Sequence, residues 1–125
     1  MLTYNKLKRL LGLFLLVLSI VSCQKDKLQK GLYYANTVDG MLYVELQKGG
    51  DCVLFFQGGE ENDGRYDMSK GKITVLGHTS IKIDNVEYSW WFYDKGTING
   101  DSFKVQVQRT YSTKYEYHYL TFYKH

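Results

Sequence analysis

The side chains able to do covalent or metal chemistry in this chain are few and scattered. There are two cysteines, Cys23 and Cys52, and three histidines, His78, His118 and His125. Cys52 sits in Asp51-Cys-Val-Leu-Phe-Phe56 and alternates with Leu54 and Phe56. It therefore reads as a small apolar core residue. A cysteine nucleophile needs a base within hydrogen-bond reach, and no histidine lies near Cys52 in the sequence. His118, between Tyr117 and Tyr119, reads as a structural strand residue, and His125 is terminal. The stretch Gly59-Glu-Glu-Asn-Asp-Gly64 offers four oxygen-bearing side chains, but their spacing is not that of an EF-hand loop, and it reads as a solvated hairpin loop. The sequence has no Gly-x-Ser-x-Gly, no His-Glu-x-x-His and no phosphate-binding glycine loop. Neither enzymatic activity nor a metal or cofactor is expected.

Aromatic side chains are the feature able to support binding. Trp90-Trp91-Phe92-Tyr93 puts rings on both faces of one strand, and Tyr111, Tyr115, Tyr117, Tyr119 and Tyr123 crowd the last hairpin. An interior lined by Tyr88, Trp90, Phe92 and Phe56 would hold a small apolar or aromatic ligand, with polar atoms to orient it. An outward face bearing Tyr115, Tyr117 and Tyr119 would instead meet a protein or glycan partner. A third account needs no partner, because aromatics are favoured in strands and pair across them.

The elements that must position these rings are strands. From Gly31 onward apolar residues recur at every second position: Leu42, Val44 and Leu46; Cys52, Leu54 and Phe56; Tyr66 and Met68; Ile73 and Val75; Ile81 and Ile83; Val86, Tyr88, Trp90 and Phe92; Phe103, Val105 and Val107; His118, Leu120 and Phe122. Period two is the mark of half-buried strands. Trp90 shares phase with Val86 and Phe92 and is expected inside, with Trp91 outside. The breaks carry Gly49-Gly50, Gly58-Gly59, Asn62-Asp63-Gly64, Lys70-Gly71, Asp84-Asn85 and Asn99-Gly100-Asp101, pairs that favour tight hairpins. The pattern predicts an all-β domain of about eight or nine short strands around one interior. A closed meander barrel and a two-sheet sandwich both satisfy it. Short consecutive hairpins, and the removal of exposed strand edges by closure, favour the barrel.

The amino terminus is of a different kind. Lys6, Lys8 and Arg9 precede an apolar run of 12 residues, Leu10 to Val21, followed by Ser22 and Cys23. This is the order of a secretory signal, and the run is shorter than the ~20 residues of a spanning helix. Ile20-Val21-Ser22-Cys23 resembles the lipobox of bacterial lipoproteins, with an aliphatic residue three places before the cysteine and a small one just before it. The resemblance implies diacylglyceryl attachment to the Cys23 thiol and cleavage before it. The expected organisation is a signal over 1–22, a polar tether over 23–30 and a folded domain over 31–125. The expected location is the bacterial cell envelope, anchored to the outer membrane or cell surface by lipid on Cys23. Without the leader's three basic residues, 13 Lys plus Arg face 13 Asp plus Glu, so no basic excess invites nucleic acid.

Gly31-Leu-Tyr-Tyr at the start of the domain, Leu120-Thr-Phe-Tyr-Lys at its end, and the units Tyr66-Asp-Met-Ser-Lys-Gly-Lys-Ile-Thr-Val and Gly96-Thr-Ile-Asn-Gly-Asp-Ser-Phe-Lys-Val between them are similar to small lipocalin-like lipoproteins of Bacteroidetes. Those proteins often open with Gly-x-Trp, where Tyr33 stands here. The resemblance implies a calycin-type barrel and a small-molecule role, with no catalytic residues. The first expectation for function is thus membrane-tethered binding of a small apolar ligand. The alternative is an interaction or inhibitor module acting through the outer tyrosines.

Overall fold

Alternation fixes which side of each strand is apolar, and the turns fix how one strand meets the next. In the computed structural model, which describes residues 27–125, these give nine strands: β1 (Gly31–Thr37), β2 (Gly40–Leu46), β3 (Asp51–Phe56), β4 (Asn62–Ser69), β5 (Lys72–Ile83), β6 (Val86–Phe92), β7 (Lys95–Asn99), β8 (Ser102–Tyr111) and β9 (Lys114–Lys124). The leader, the lipobox and Cys23 lie outside the described residues. Lys70-Gly71 and Asp84-Asn85 take positive φ at both positions (53° and 75°; 52° and 66°). Two such residues give the turn whose twist matches that of the flanking strands. Among the described residues no helix is long and apolar enough to cross a membrane.

The sheet closes on itself. Antiparallel pairing runs β4-β3-β2-β1-β9-β8-β6-β5, and β4 pairs β5 to complete the ring. The β1–β9 junction is made by Tyr33 opposite Lys124 and Tyr34 opposite Tyr123. The architecture is therefore a small lipocalin-like barrel rather than a two-sheet sandwich. The ninth strand adds no ninth position. β5 faces β6 from Gly77↔Phe92 to Ile83↔Val86 and faces β7 from Lys72↔Thr97 to Thr74↔Lys95, in one unbroken register. Thus β6 and β7 lie end to end between β5 and β8. Against β8 the register slips by two residues between Phe92↔Val107 and Thr97↔Lys104. The slip is a bulge around Tyr93 and Asp94, both of which face solvent.

The barrel has two distinct ends. At its base lie the incoming segment 27–30, the β2–β3 turn, the β4–β5 turn, the β7–β8 turn and the carboxyl terminus. At its distal end lie the β1–β2 turn, the β3–β4 loop, the β5–β6 turn and the β8–β9 turn. The base is covered by residues 27–30, the last part of the expected polar tether. Leu28 is buried there, its amide donating to Met68 Sδ at 3.4 Å, and Tyr33 Oη donates to Gln29 O at 2.6 Å. Lys124 Nζ donates to Lys30 O at 2.7 Å. Burial pushes the Tyr33 hydroxyl up to about 12, with Asp101 and Tyr66 adding to the shift. One apolar cluster fills the space between the ends, with Tyr33, Leu42, Val44, Leu54, Phe56, Ile73, Val75, Trp90, Phe103, Val107 and Phe122 fully buried.

Candidate functional site

The four residues expected to line a ligand cavity all point inward, and three of them are consumed by packing. Phe56 and Trp90 have no exposed surface and Phe92 is 2 % exposed. Phe56 and Trp90 meet edge to face at 6.1 Å, and Phe92 lies 5.8 Å from Phe122, which stacks on Phe103 at 4.9 Å. Rings in these arrangements satisfy one another. Trp90 is inside and Trp91, 41 % exposed, is outside, as their phase implies. Tyr88 is half-buried near the distal end and packs beside Tyr111 at 5.3 Å.

What the two tyrosines hold is a guanidinium. Arg109 extends the inward phase of Phe103, Val105 and Val107 along β8, so its cation enters the distal mouth of the barrel. There it lies over the rings of Tyr88 (4.4 Å) and Tyr111 (4.6 Å). Its Nε and Nη2 donate to the two oxygens of Asp39 at 2.6 Å each, and its Nη1 donates to Glu116 Oε1 at 2.7 Å. Asp39, in the β1–β2 turn, also accepts from Trp90 Nε1 at 2.7 Å. A bidentate pair of this kind is short and directional. The bonds to Asp39 and Glu116 hold Arg109 above its usual pKa, outweighing the opposing effect of burial. His118 Nε2 lies 2.8 Å from the same Glu116 oxygen, and the bonds from His118 and then Arg109 hold that carboxyl below the usual glutamate range. Among the described residues no buried side-chain nitrogen or oxygen is left without a partner. The network ties the β1–β2 turn to β6, β8 and β9 across the mouth. Sequence reading placed His118 as structural but missed Asp39, Arg109 and Glu116. The available signal was a cation on an inward phase, which requires a buried carboxylate.

The outer wall carries the second set of rings. Tyr115, Tyr117, Tyr119 and Tyr123 on β9 are 64, 53, 68 and 53 % exposed, and Tyr93 is 45 % exposed. Register sets Gln108 and Gln106 of β8 opposite Tyr117 and Tyr119, and Trp91 of β6 opposite Gln108. The face is thus a row of rings separated by amides. His78 stacks on Trp91 at 4.3 Å, and Trp91 Nε1 donates to Thr110 Oγ1 at 3.1 Å. Tyr115 and Tyr117 stand edge to face at 77°, so the rings do not form one flat platform. Tyr34, Tyr43, Phe55 and His125 continue the aromatic wall past Tyr123, Tyr43 stacking on Phe55 at 5.0 Å.

Beside this wall the barrel has an incomplete seam. β4 pairs β5 only from Ser69↔Lys72 to Arg65↔Leu76 and then follows β3, up to Asn62↔Leu54. The departure point is glycine on both strands. A Cβ on Gly64 would stand 2.8 Å from Leu76 O, and one on Gly77, whose φ is +150°, 2.9 Å from Leu54 Cδ1. Above it, Thr79 Oγ1 donates to Asn62 Oδ1 at 2.8 Å across the gap. A recess of about 660 Å³ opens between the β3–β4 loop and β5, lined by Gly59, Glu60, Asn62, His78, Ser80 and Glu87 among others. The acidic loop thus forms one bank of this recess, with Glu60 and Glu61 in solvent.

Cys52 is 1 % exposed, and burial, helped by Asp51, pushes its thiol up to about 11. A protonated, enclosed thiol is a poor nucleophile. Among the described residues no three His, Cys, Asp or Glu side chains converge on a common point. Comparison of the chain with protein-family models, with curated proteins and with solved structures finds no match.

Proposed function

We propose that this protein is a non-catalytic interaction module, lipid-anchored in the cell envelope through Cys23, that meets a protein partner with the outer wall of β9, β8 and β6. The observation that carries this reading is the division of the aromatics. Of the rings that a lumenal ligand would have to touch, Phe56 and Trp90 pack on each other and Phe92 packs on Phe122, while Trp91, Tyr93, Tyr115, Tyr117 and Tyr119 crowd one outer face at 41 to 68 % exposure. Tyrosine and tryptophan bring large contact area at small entropic cost, and both are enriched where proteins meet. The edge-to-face setting of Tyr115 and Tyr117 suits an irregular protein surface better than the flat faces of sugars.

The test is photocrosslinking in the native host. A benzophenone amino acid replacing Tyr119 should yield a discrete protein adduct, and the same group replacing Val38, exposed in the distal turn, should not. Tyr117→Ser beside the crosslinker should remove the adduct. If position 119 gives no adduct, and native mass spectrometry of the gently purified protein shows a bound small molecule released on unfolding, the function lies in the interior and the outer-wall reading is wrong.

A further inference from the structure

We infer that the base of the barrel is a membrane-docking rim that lies on anionic phospholipid headgroups and turns the distal end away from the bilayer. Charge is sorted along the barrel axis although the mature chain is formally balanced. At the base, Arg65 and Asp51 pair with each other at 3.2 Å. That leaves Lys27, Lys30, Lys48, Lys70, Lys72 and Lys124 against Glu45, Asp67 and Asp101, and all of these lysines but the half-buried Lys124 are exposed. At the distal end, Arg109 is occupied by Asp39 and Glu116. There Glu60, Glu61, Asp84 and Glu87 stand in solvent against Lys82 and Lys114. The lysines come from four separate places in the chain, brought to one rim by the topology.

The chain enters the barrel from the same rim. Leu28 is buried in the base, which pins the point where the preceding residues leave. Lys27 stands four positions after Cys23, a reach of at most about 14 Å when fully extended. A lipid on Cys23 would therefore hold the basic rim at the headgroup surface, within about a Debye length or two. Anionic leaflets attract basic clusters at that distance, and an acyl anchor with a basic patch holds a protein more firmly than an anchor alone. The acidic distal end is repelled by the same surface, so both ends favour one orientation. The outer wall, parallel to the axis, stays open to a partner from the side.

The inference rests on the anchor, and the experiment separates the two. The full chain is expressed in a lipoprotein-processing host, purified in detergent and reconstituted with vesicles of phosphatidylcholine alone or of phosphatidylcholine with phosphatidylglycerol. Flotation with the neutral vesicles reads the anchor. Acetylation of amines, mapped by mass spectrometry, reads the rim. Lys27, Lys48 and Lys70 should label about fivefold more slowly on the anionic vesicles than on the neutral ones, as expected for contacts of ~1 kcal/mol per lysine. Lys82 and Lys114 should label alike on both, and the protection should vanish at high salt. Lys27→Glu with Lys48→Glu should abolish protection at Lys70 without changing flotation. Equal labelling of the basal lysines on both vesicles, in protein that floats, overturns the rim and keeps the anchor. Protein that fails to float on neutral vesicles removes the anchor. In that case salt-sensitive flotation on anionic vesicles alone sustains the rim, and no flotation on either overturns it.

Discussion

Trp90 and Trp91 are adjacent in sequence and belong to opposite walls of the barrel. The inner ring is locked by Phe56, by His118 at 5.1 Å and by its bond to Asp39. The outer one has a single stacking partner, His78, and one side of its ring in water. The same contrast holds between the inner set of Phe56, Phe92, Phe103 and Phe122 and the outer set of tyrosines. Inside, each ring has neighbours on every side, and the set works as filler. Outside, the rings meet only their strand neighbours, and core packing gives no account of their number.

The contrast breaks most sharply at the tryptophans. Trp90→Ala removes a fully buried ring and one of Asp39's donors, and should cost ~3–5 kcal/mol in denaturant unfolding. Trp91→Ala should cost less than about 1 kcal/mol. Equal costs would mean that the two walls are not what their exposure says. Next in size is Asp39→Ala, which strands Arg109 and the Trp90 indole N–H in the distal mouth. Breaking a buried pair by removing one partner costs ~3–5 kcal/mol, and because Glu116 still holds Arg109 the lower end is expected. An effect below ~1 kcal/mol would show that the mouth is open to water and could admit a ligand.

Glu116 sits at the border between the walls, and its contribution should follow pH. A carboxylate with a depressed folded-state pKa adds stability above the ordinary glutamate value near ~4.3 and loses it as pH falls through the depressed value. The difference in melting temperature between the wild type and Glu116→Gln should therefore shrink as pH falls below about pH 4, where Glu116 itself takes up its proton. A difference that keeps growing below about pH 4 would overturn the bonding assigned to Glu116. Smallest of all, Tyr117→Ser with Tyr119→Ser should leave unfolding within about 0.5 kcal/mol per site. A loss near that of Trp90→Ala would make the outer tyrosines structural and remove the case for an interaction face.

The walls were legible because alternation is local. Leu42-Val44-Leu46 and Phe103-Val105-Val107 declare their inner face without reference to any other strand, and the turn residues declare the hairpins. The network at the mouth was not legible, because it joins residues separated by 70 positions, Asp39 and Arg109, and depends on which strand ends meet after closure. Leu28 was hidden for a related reason. A single apolar residue among lysines and glutamines has no period to reveal it, and only the open base of the finished barrel gives it somewhere to go. The sharing of one barrel position by β6 and β7 was equally invisible, since a bulge preserves the alternation on either side of it.

The seam between β4 and β5 has a kinetic consequence. Along the upper half of β5 the ladder to β6 uses Thr79, Ile81 and Ile83, which leaves the main-chain amides of His78, Ser80 and Lys82 directed at the gap, without a ladder partner among the described residues. The wall of a closed barrel is as strong as its weakest line of rungs, and here one line stops halfway. Breathing motions that admit water to Trp90 need to separate only the Thr79–Asn62 contact and the loop, not a row of backbone bonds. Amide exchange should therefore alternate along β5, fast at Ser80 and Lys82 and slow at Thr79 and Ile81, with no such alternation over Val107 to Thr110 of β8, which β6 and β9 pair on both sides.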